Sequence, residues 1–163
     1  MRIILIIICL FSILLSNAQC SDLVKLRKKY IASQNDIKSC KELHNLSKNC
    51  NPKLYPVEFS YNIISDLMEC NFILNPFLKY KIFKNSTQQL DSIICLNTKY
   101  IEILFLRYLV QLNSPAFLGY NTNLDNDYKF IINNIYSENQ DLKDFILPIL
   151  NNLNNARASN TSK

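Results

Sequence analysis

The sequence predicts an all-α protein, a compact bundle of about five to six helices stapled by disulfides. Gly occurs once and Pro five times among 163 residues, which is too few for the tight turns on which β-sandwiches and barrels depend. Apolar residues recur at spacings of three and four along most of the chain, as they do on the buried side of a helix. The composition, 48% hydrophobic and 19% charged, is that of a globular domain.

Residues 1–18 have the three-part pattern of a secretory signal peptide. A positive charge comes first, residues 3–15 are almost purely apolar, and Ser16 and Ala18 place small side chains before a cut after Ala18. As a helix the apolar run is about 20 Å long, short of the roughly 30 Å needed to cross a bilayer. We therefore expect a secreted, extracellular mature chain without a transmembrane segment. A cut after Cys20 is the less favoured alternative.

Residues 19–163 are predicted to form a single helical domain. Its first three helices cover about 22–33, 35–50 and 57–74. Their apolar stripes consist of Leu23, Leu26, Tyr30 and Ile31, of Ile37, Cys40, Leu43 and Cys50, and of Ile63, Leu67, Cys70 and Leu74. Pro52 and Pro76 each follow an asparagine and end the second and third helices, because proline cannot continue a helix.

A short basic and aromatic segment, Phe77–Lys84, follows the third helix. A capping-box pattern that begins at Ser86 then predicts the longest helix, about 87–112. Its second half is apolar on nearly every side and is expected to lie at the centre of the bundle. The last two helices are predicted at about 125–136 and 138–153. We expect Pro148 to kink or split the last one, and the polar tail from about 154 to fray.

The cysteines predict disulfides, because the mature chain is expected in an oxidising compartment. A cut after Ala18 leaves five of the six cysteines, namely Cys20, Cys40, Cys50, Cys70 and Cys95. An odd number leaves a free thiol or a bridge to a second chain, so a covalent dimer is one possibility. In an antiparallel hairpin of the second and third helices, Cys40 and Cys70 are equidistant from the connection, and we predict that they pair. Cys50 then pairs with Cys20 or Cys95, and the sequence does not decide which.

Two basic clusters and three glycosylation acceptors are the candidate surface features. The clusters comprise Lys25, Arg27, Lys28 and Lys29, and Lys79, Lys81 and Lys84. Each is interpreted either as a solvated helix face or as a docking patch for an acidic surface or anionic lipid headgroups. The formal net charge of the whole chain is only +5, so nucleic acid is not an expected partner. The Asn-x-Ser/Thr acceptors begin at Asn45, Asn85 and Asn160.

The residues that could carry chemistry do not form a complete site in the sequence. Cys40 and the single histidine, His44, are one helical turn apart, but no oxyanion loop accompanies them. Adding Cys50 as a zinc ligand leaves the fourth ligand missing. The polar run from Asn121 to Asp127 resembles the start of a calcium loop without its glycine and glutamate. Carboxylates three residues apart are interpreted as solvated helix faces, as in Asp66 and Glu69 or Asp141 and Asp144. We expect no catalytic residue, metal or cofactor.

These observations predict a secreted non-enzymatic helical protein, factor-like or effector-like, that acts by binding another protein. The identity of that partner is not specified by the sequence. The alternative is an extracellular carrier of a lipid or another apolar small ligand, because nine Phe and nine Tyr could line a cavity between helices. A membrane-active, toxin-like protein is a third class, suggested by the basic clusters and the long apolar helix.

Overall fold

The computed structural model of the protein describes residues 20–161, with the side chains of residues 20–159. Within these bounds all regular structure is helical, which confirms the predicted all-α class. Seven α-helices follow one another there: α1 (Leu23–Ser33), α2 (Ile37–Ser47), α3 (Pro56–Glu69), α4 (Pro76–Leu96), α5 (Ile101–Asn113), α6 (Leu124–Asn134) and α7 (Gln140–Thr161). The predicted signal peptide, residues 1–18, and the proposed cut after Ala18 lie outside the described residues.

The first three helices begin close to where the sequence predicts them. Asp36 begins α2, because its carboxylate accepts hydrogen bonds from the backbone N–H groups of Lys38 and Ser39 at 3.2 and 2.9 Å. Pro56 begins α3, at a position where a missing backbone N–H breaks no helical hydrogen bond. α2 packs against both α1 and α3, so consecutive helices are neighbours in space.

The prediction of a long helix over about 87–112 is wrong at its start. α4 begins at Pro76, and it includes the segment Phe77–Lys84 that was expected to precede the helix. The cause is Asn75, whose side chain accepts hydrogen bonds from the backbone N–H groups of Phe77 and Leu78 at 3.0 and 3.2 Å. Ser86, the expected cap, is buried within the helix instead.

The same predicted helix is also interrupted, at residues 97–100. Asn97 has φ −138° and ψ 47°, outside the helical region. Its side-chain amide donates to the carbonyl of Ile93 at 2.9 Å, which satisfies one of the carbonyls left open at a helix end. Apolar residues resume with helical spacing at Ile101, so the apolar pattern of the sequence does not reveal that the helix is interrupted.

α5 is the central helix of the bundle, as its apolar character predicts. Nine of its thirteen residues are buried, and it packs against α3, α4, α6 and α7. Aromatic rings in edge-to-face contact connect it to its neighbours. The centroids of Phe105 and Phe145 are 5.7 Å apart, and Tyr30 lies 6.1 Å from both Phe145 and Tyr61. These aromatic side chains therefore fill the core.

α7 continues through Pro148 to Thr161 as one helix, so the proline does not split it. Asp144 and Pro148 are both exposed, so water can reach the Asp144 carbonyl that the proline leaves without a helical partner. The structure is thus still helical beyond residue 154, where the sequence suggests a frayed tail.

A disulfide joins Cys20 to Cys50, whose Cα atoms are 4.9 Å apart. It ties the residues before α1 to the end of α2. The sequence left the partner of Cys50 open, and the structure selects Cys20, whereas Cys95 carries a free, exposed thiol. A cut after Cys20, the less favoured alternative, would remove Cys20 and with it this bond.

The predicted Cys40–Cys70 disulfide is wrong, because both residues have free, buried thiols. The Cys40 thiol donates to the carbonyl of Ser33, the last residue of α1, at 3.1 Å. The Cys70 thiol donates to the carbonyl of Lys79 at 3.7 Å, on α4. Equal distance from a hairpin connection places two residues at one level, but it does not decide the direction in which each side chain points.

Candidate functional site

A run of large apolar side chains is exposed where the chain passes from α3 into α4. The exposed fractions are 42% for Phe72, 99% for Leu74, 85% for Phe77, 47% for Leu78 and 53% for Tyr80. Single exposed apolar residues are common, whereas several close together in the chain make a candidate interaction surface. We call residues 72–84, which contain this cluster and the second basic cluster, the α4 entry segment.

The α4 entry segment is folded by local contacts and only lightly held by the core. Its partly buried helical residues are Lys79, Ile82 and Phe83, and the ring of Phe83 packs edge-on against Tyr120 with the centroids 5.7 Å apart. The first buried residue of α4 is Ser86. About 2.8 turns of helix therefore precede the part of α4 that enters the core.

The charge of the α4 entry segment is uniformly positive. The sequence contains no acidic residue between Glu69 and Asp91, and it contains the predicted cluster of Lys79, Lys81 and Lys84. Lys81 and Lys84 are exposed. Of the carboxylates in residues 20–159, none lies within ion-pair distance of these three lysines. The segment thus combines an apolar surface with unpaired positive charge.

The first basic cluster is not the continuous patch that the sequence suggests, because Arg27 is buried. Its Nε and Nη2 donate to the two carboxylate oxygens of Glu102 at 2.8 and 2.7 Å. The hydroxyl of Tyr61 donates to the same carboxylate at 2.6 Å. The hydrogen bond with Glu102 raises the pKa of Arg27, and burial, followed by the charge of Glu102, raises the pKa of Tyr61. The ion pair of Arg27 and Glu102 connects α1 to α5, and Tyr61 adds α3.

The remaining residues of the first cluster differ in their surroundings. Lys29 donates to Glu42 on α2 at 2.6 Å, whereas Lys25 and Lys28 are exposed. An open cleft of about 350 Å³ is lined by Asp22, Val24, Lys25, Lys28 and Lys29. Carboxylates and apolar atoms interrupt the positive charge here, so the second cluster is the stronger candidate surface.

His44 lies opposite Asp66 across the α2–α3 hairpin, with its Nδ1 3.1 Å from a carboxylate oxygen. Asn62 and Ser65 contact the same Nδ1 at 3.2 and 3.3 Å. A Ser-His-Asp triad needs the serine and the carboxylate on different ring nitrogens. The hydroxyl of Ser65 moreover donates to the carbonyl of Asn62 at 2.6 Å. This arrangement does not activate a nucleophile.

Cys40 is also unsuited to the thiolate–imidazole chemistry considered above. Burial, followed by the charge of Glu69, raises the pKa of its thiol. A nucleophilic cysteine requires the opposite, a lowered pKa that favours the thiolate. The Cys40 thiol is also directed to the carbonyl of Ser33.

The run from Asn121 to Asp127 has a structural use. Asp127 is buried and accepts two hydrogen bonds from Arg107 at 2.8 and 2.7 Å and one from Gln111 at 2.8 Å. Arg107 also donates to Asp91 at 3.1 Å, which joins α4, α5 and α6. In the part of the chain that the structure describes, no group of three His, Cys, Asp or Glu residues is placed to hold a metal ion.

Two of the three glycosylation acceptors can be placed. Asn45 and Asn85 are exposed, while the hydroxyls of Ser47 and Thr87 donate to backbone carbonyls of their own helices at 2.8 and 2.9 Å. The side chain of Asn160 lies outside the described residues. Use of these acceptors stays a prediction.

No family model, no curated protein and no solved structure matches this chain. Among residues 20–161, no helix has both the length and the apolar character that crossing a membrane requires.

Proposed function

We propose that the mature chain is a secreted, non-enzymatic protein that acts by binding another protein through the α4 entry segment. The observation that carries this proposal is the exposure of five large apolar side chains within residues 72–80. Full burial of one such side chain is favourable by about 1.5–3 kcal/mol. A partner that covers several of them gains a substantial part of the free energy of a specific complex.

The residue types of the segment also fit protein recognition. Aromatic side chains are enriched among the residues that dominate binding energy, and they cluster near the centre of an interface. Phe77 and Tyr80 are the expected anchors, because they lie one turn apart and are 85% and 53% exposed. Lys81 and Lys84 add positive charge, which favours encounter with an acidic surface.

The proposal is tested with the full mature chain as an immobilised bait for extracellular proteins. The wild type is compared with the double variant Phe77→Ser/Leu78→Ser and with a matched control, Phe130→Ser/Tyr136→Ser, which removes exposed aromatics from another region. We expect the wild type and the control to retain a common protein that the α4 variant does not retain. That protein, once purified, should bind the wild type saturably.

Native mass spectrometry of the secreted chain tests the alternative, in which the protein carries a small molecule. A bound small molecule that is lost on denaturation, with no protein retained in the first experiment, would contradict the proposal and favour the carrier. Equal retention of every protein by all three baits would contradict the role of the α4 entry segment.

A further inference from the structure

The exposed apolar side chains of the first turns of α4 point around the helix rather than along one narrow stripe. Successive residues differ in direction by about 100°. Phe77 and Leu78 therefore diverge by about 100°, and Tyr80 lies about 60° beyond Phe77 on the other side. Together these three side chains cover an arc of about 160°.

Lys81 lies inside this arc. It is four residues after Phe77 and three after Leu78, which places it about 40° from the first and about 60° from the second. Its side chain is exposed. Any surface that covers both Phe77 and Leu78 therefore also covers the base of the Lys81 side chain.

The position of Lys81 distinguishes two kinds of surface that could cover Phe77 and Leu78, a lipid bilayer and a protein groove. A flat bilayer that accepts Phe77 and Leu78 also covers the base of Lys81, whose ammonium must then extend past both apolar neighbours to reach the headgroups. A protein groove encloses a wide arc of a helix, and it can offer a carboxylate at the point that the ammonium reaches. Among residues 20–159 no carboxylate forms an ion pair with Lys81, so a countercharge in the bound state has to come from the partner.

We infer that the partner holds the first turns of α4 in an apolar groove whose floor carries an Asp or Glu side chain opposite Lys81. This inference rests on the proposed function and specifies the chemistry of the partner. Phe77 and Tyr80 line one wall of the groove and Leu78 lines the other, while Lys84, about 20° from Phe77 and about two turns farther along the helix, faces its acidic rim.

The contact is tested by photo-crosslinking with the full secreted chain. The probe is p-benzoylphenylalanine, placed either at position 77 or, as a control, at Tyr136, which is 71% exposed on another part of the surface. We expect a single dominant protein crosslinked from position 77, through a peptide that contains Asp or Glu. No such product is expected from position 136.

The charge pairing is tested with the crosslinked partner after purification. Lys81→Glu is expected to weaken binding by about thirtyfold or more, because a buried charge pair becomes a repulsion. Lys129→Glu makes the same change on an exposed residue of α6 and is expected to leave binding unchanged. Replacing the acidic residue of the crosslinked peptide by Lys should restore binding to the Lys81→Glu chain.

Three outcomes would overturn the inference. A partner that crosslinks from position 136 and not from 77 would overturn the groove and leave protein binding intact. Unchanged affinity of Lys81→Glu would overturn the carboxylate. Flotation of the chain with equimolar phosphatidylcholine and phosphatidylserine vesicles, without any protein crosslink from either position, would assign the segment to membranes and would also overturn the proposed function.

Discussion

Replacing Glu102 by Gln is expected to lower the free energy of unfolding by about 3–5 kcal/mol. Glu102 is 4% exposed, and its carboxylate accepts hydrogen bonds at 2.8 and 2.7 Å from Arg27 and at 2.6 Å from Tyr61. An amide of the same shape accepts through only one of its two ends. It also leaves the guanidinium of Arg27, 8% exposed, without a countercharge, which is the costly way to break a buried ion pair.

The assay is urea unfolding followed by far-ultraviolet circular dichroism, with the disulfide intact. The double variant Arg27→Met/Glu102→Leu is expected to lose much less stability than the sum of the two single replacements, because neither charge then remains buried alone. Lys29→Met is the matched control on α1. It breaks the pair with Glu42, and we expect a small effect because that pair is partly exposed and screened by water.

The reasoning would be refuted if Glu102→Gln lost less than about 1 kcal/mol, the net value of an ordinary hydrogen bond. It would also be refuted if Lys29→Met and Glu102→Gln had the same effect. Either result would mean that water or a rearranged side chain compensates Arg27, and that the pair does not hold α1 against α5.

Three further predictions concern separate parts of the fold. Cys20→Ser should lower the free energy of unfolding of the oxidised protein by about 3.5 kcal/mol, because the Cys20–Cys50 bond closes a loop with a sequence separation of 30. Urea unfolding measures the loss, and peptide mapping that links Cys50 to Cys95 would contradict the pairing. Asn75→Ala should cost about 1 kcal/mol and reduce helicity at the start of α4, because it removes the cap; hydrogen exchange of the first turns that matches the wild type would contradict this. Burial raises the pKa of Glu58 above its ordinary 4.5, so the folded state binds this proton more tightly and stability should fall as the pH rises through the interval from 4.5 to the raised pKa. Glu58→Gln should flatten that part of a melting temperature–pH curve, and an identical slope in both proteins would contradict the linkage.

The helical spacing of apolar residues predicted the fold class and most helix positions, because the residues of one apolar stripe lie only three or four positions apart in the sequence. The beginnings of α2 and α3 follow from Asp36 and Pro56, whose effects on the backbone act over three or four residues. The division between α4 and α5 was missed for a related reason. Apolar residues continue on both sides of residues 97–100, and the asparagine that ends α4 is not by itself a reliable stop signal.

The sequence predicted the residue types of the candidate surface but not their exposure. The cluster of Lys79, Lys81 and Lys84 and its aromatic neighbours could be found by composition, but their exposure could not. Whether Phe77 is a core residue or a surface residue depends on where α4 enters the core of the bundle, and the first buried residue of α4 is Ser86.

The sequence by itself determined the all-α class, the central apolar helix and the position of the second basic cluster. Only the tertiary structure decided that Arg27 is buried against a residue 75 positions away, that Cys40 and Cys70 point to different helices, and that the start of α4 is left uncovered. Helix formation follows from hydrogen bonds and side chains within a few turns. The direction of a side chain toward core, partner helix or water depends on packing between distant segments, which no local pattern encodes.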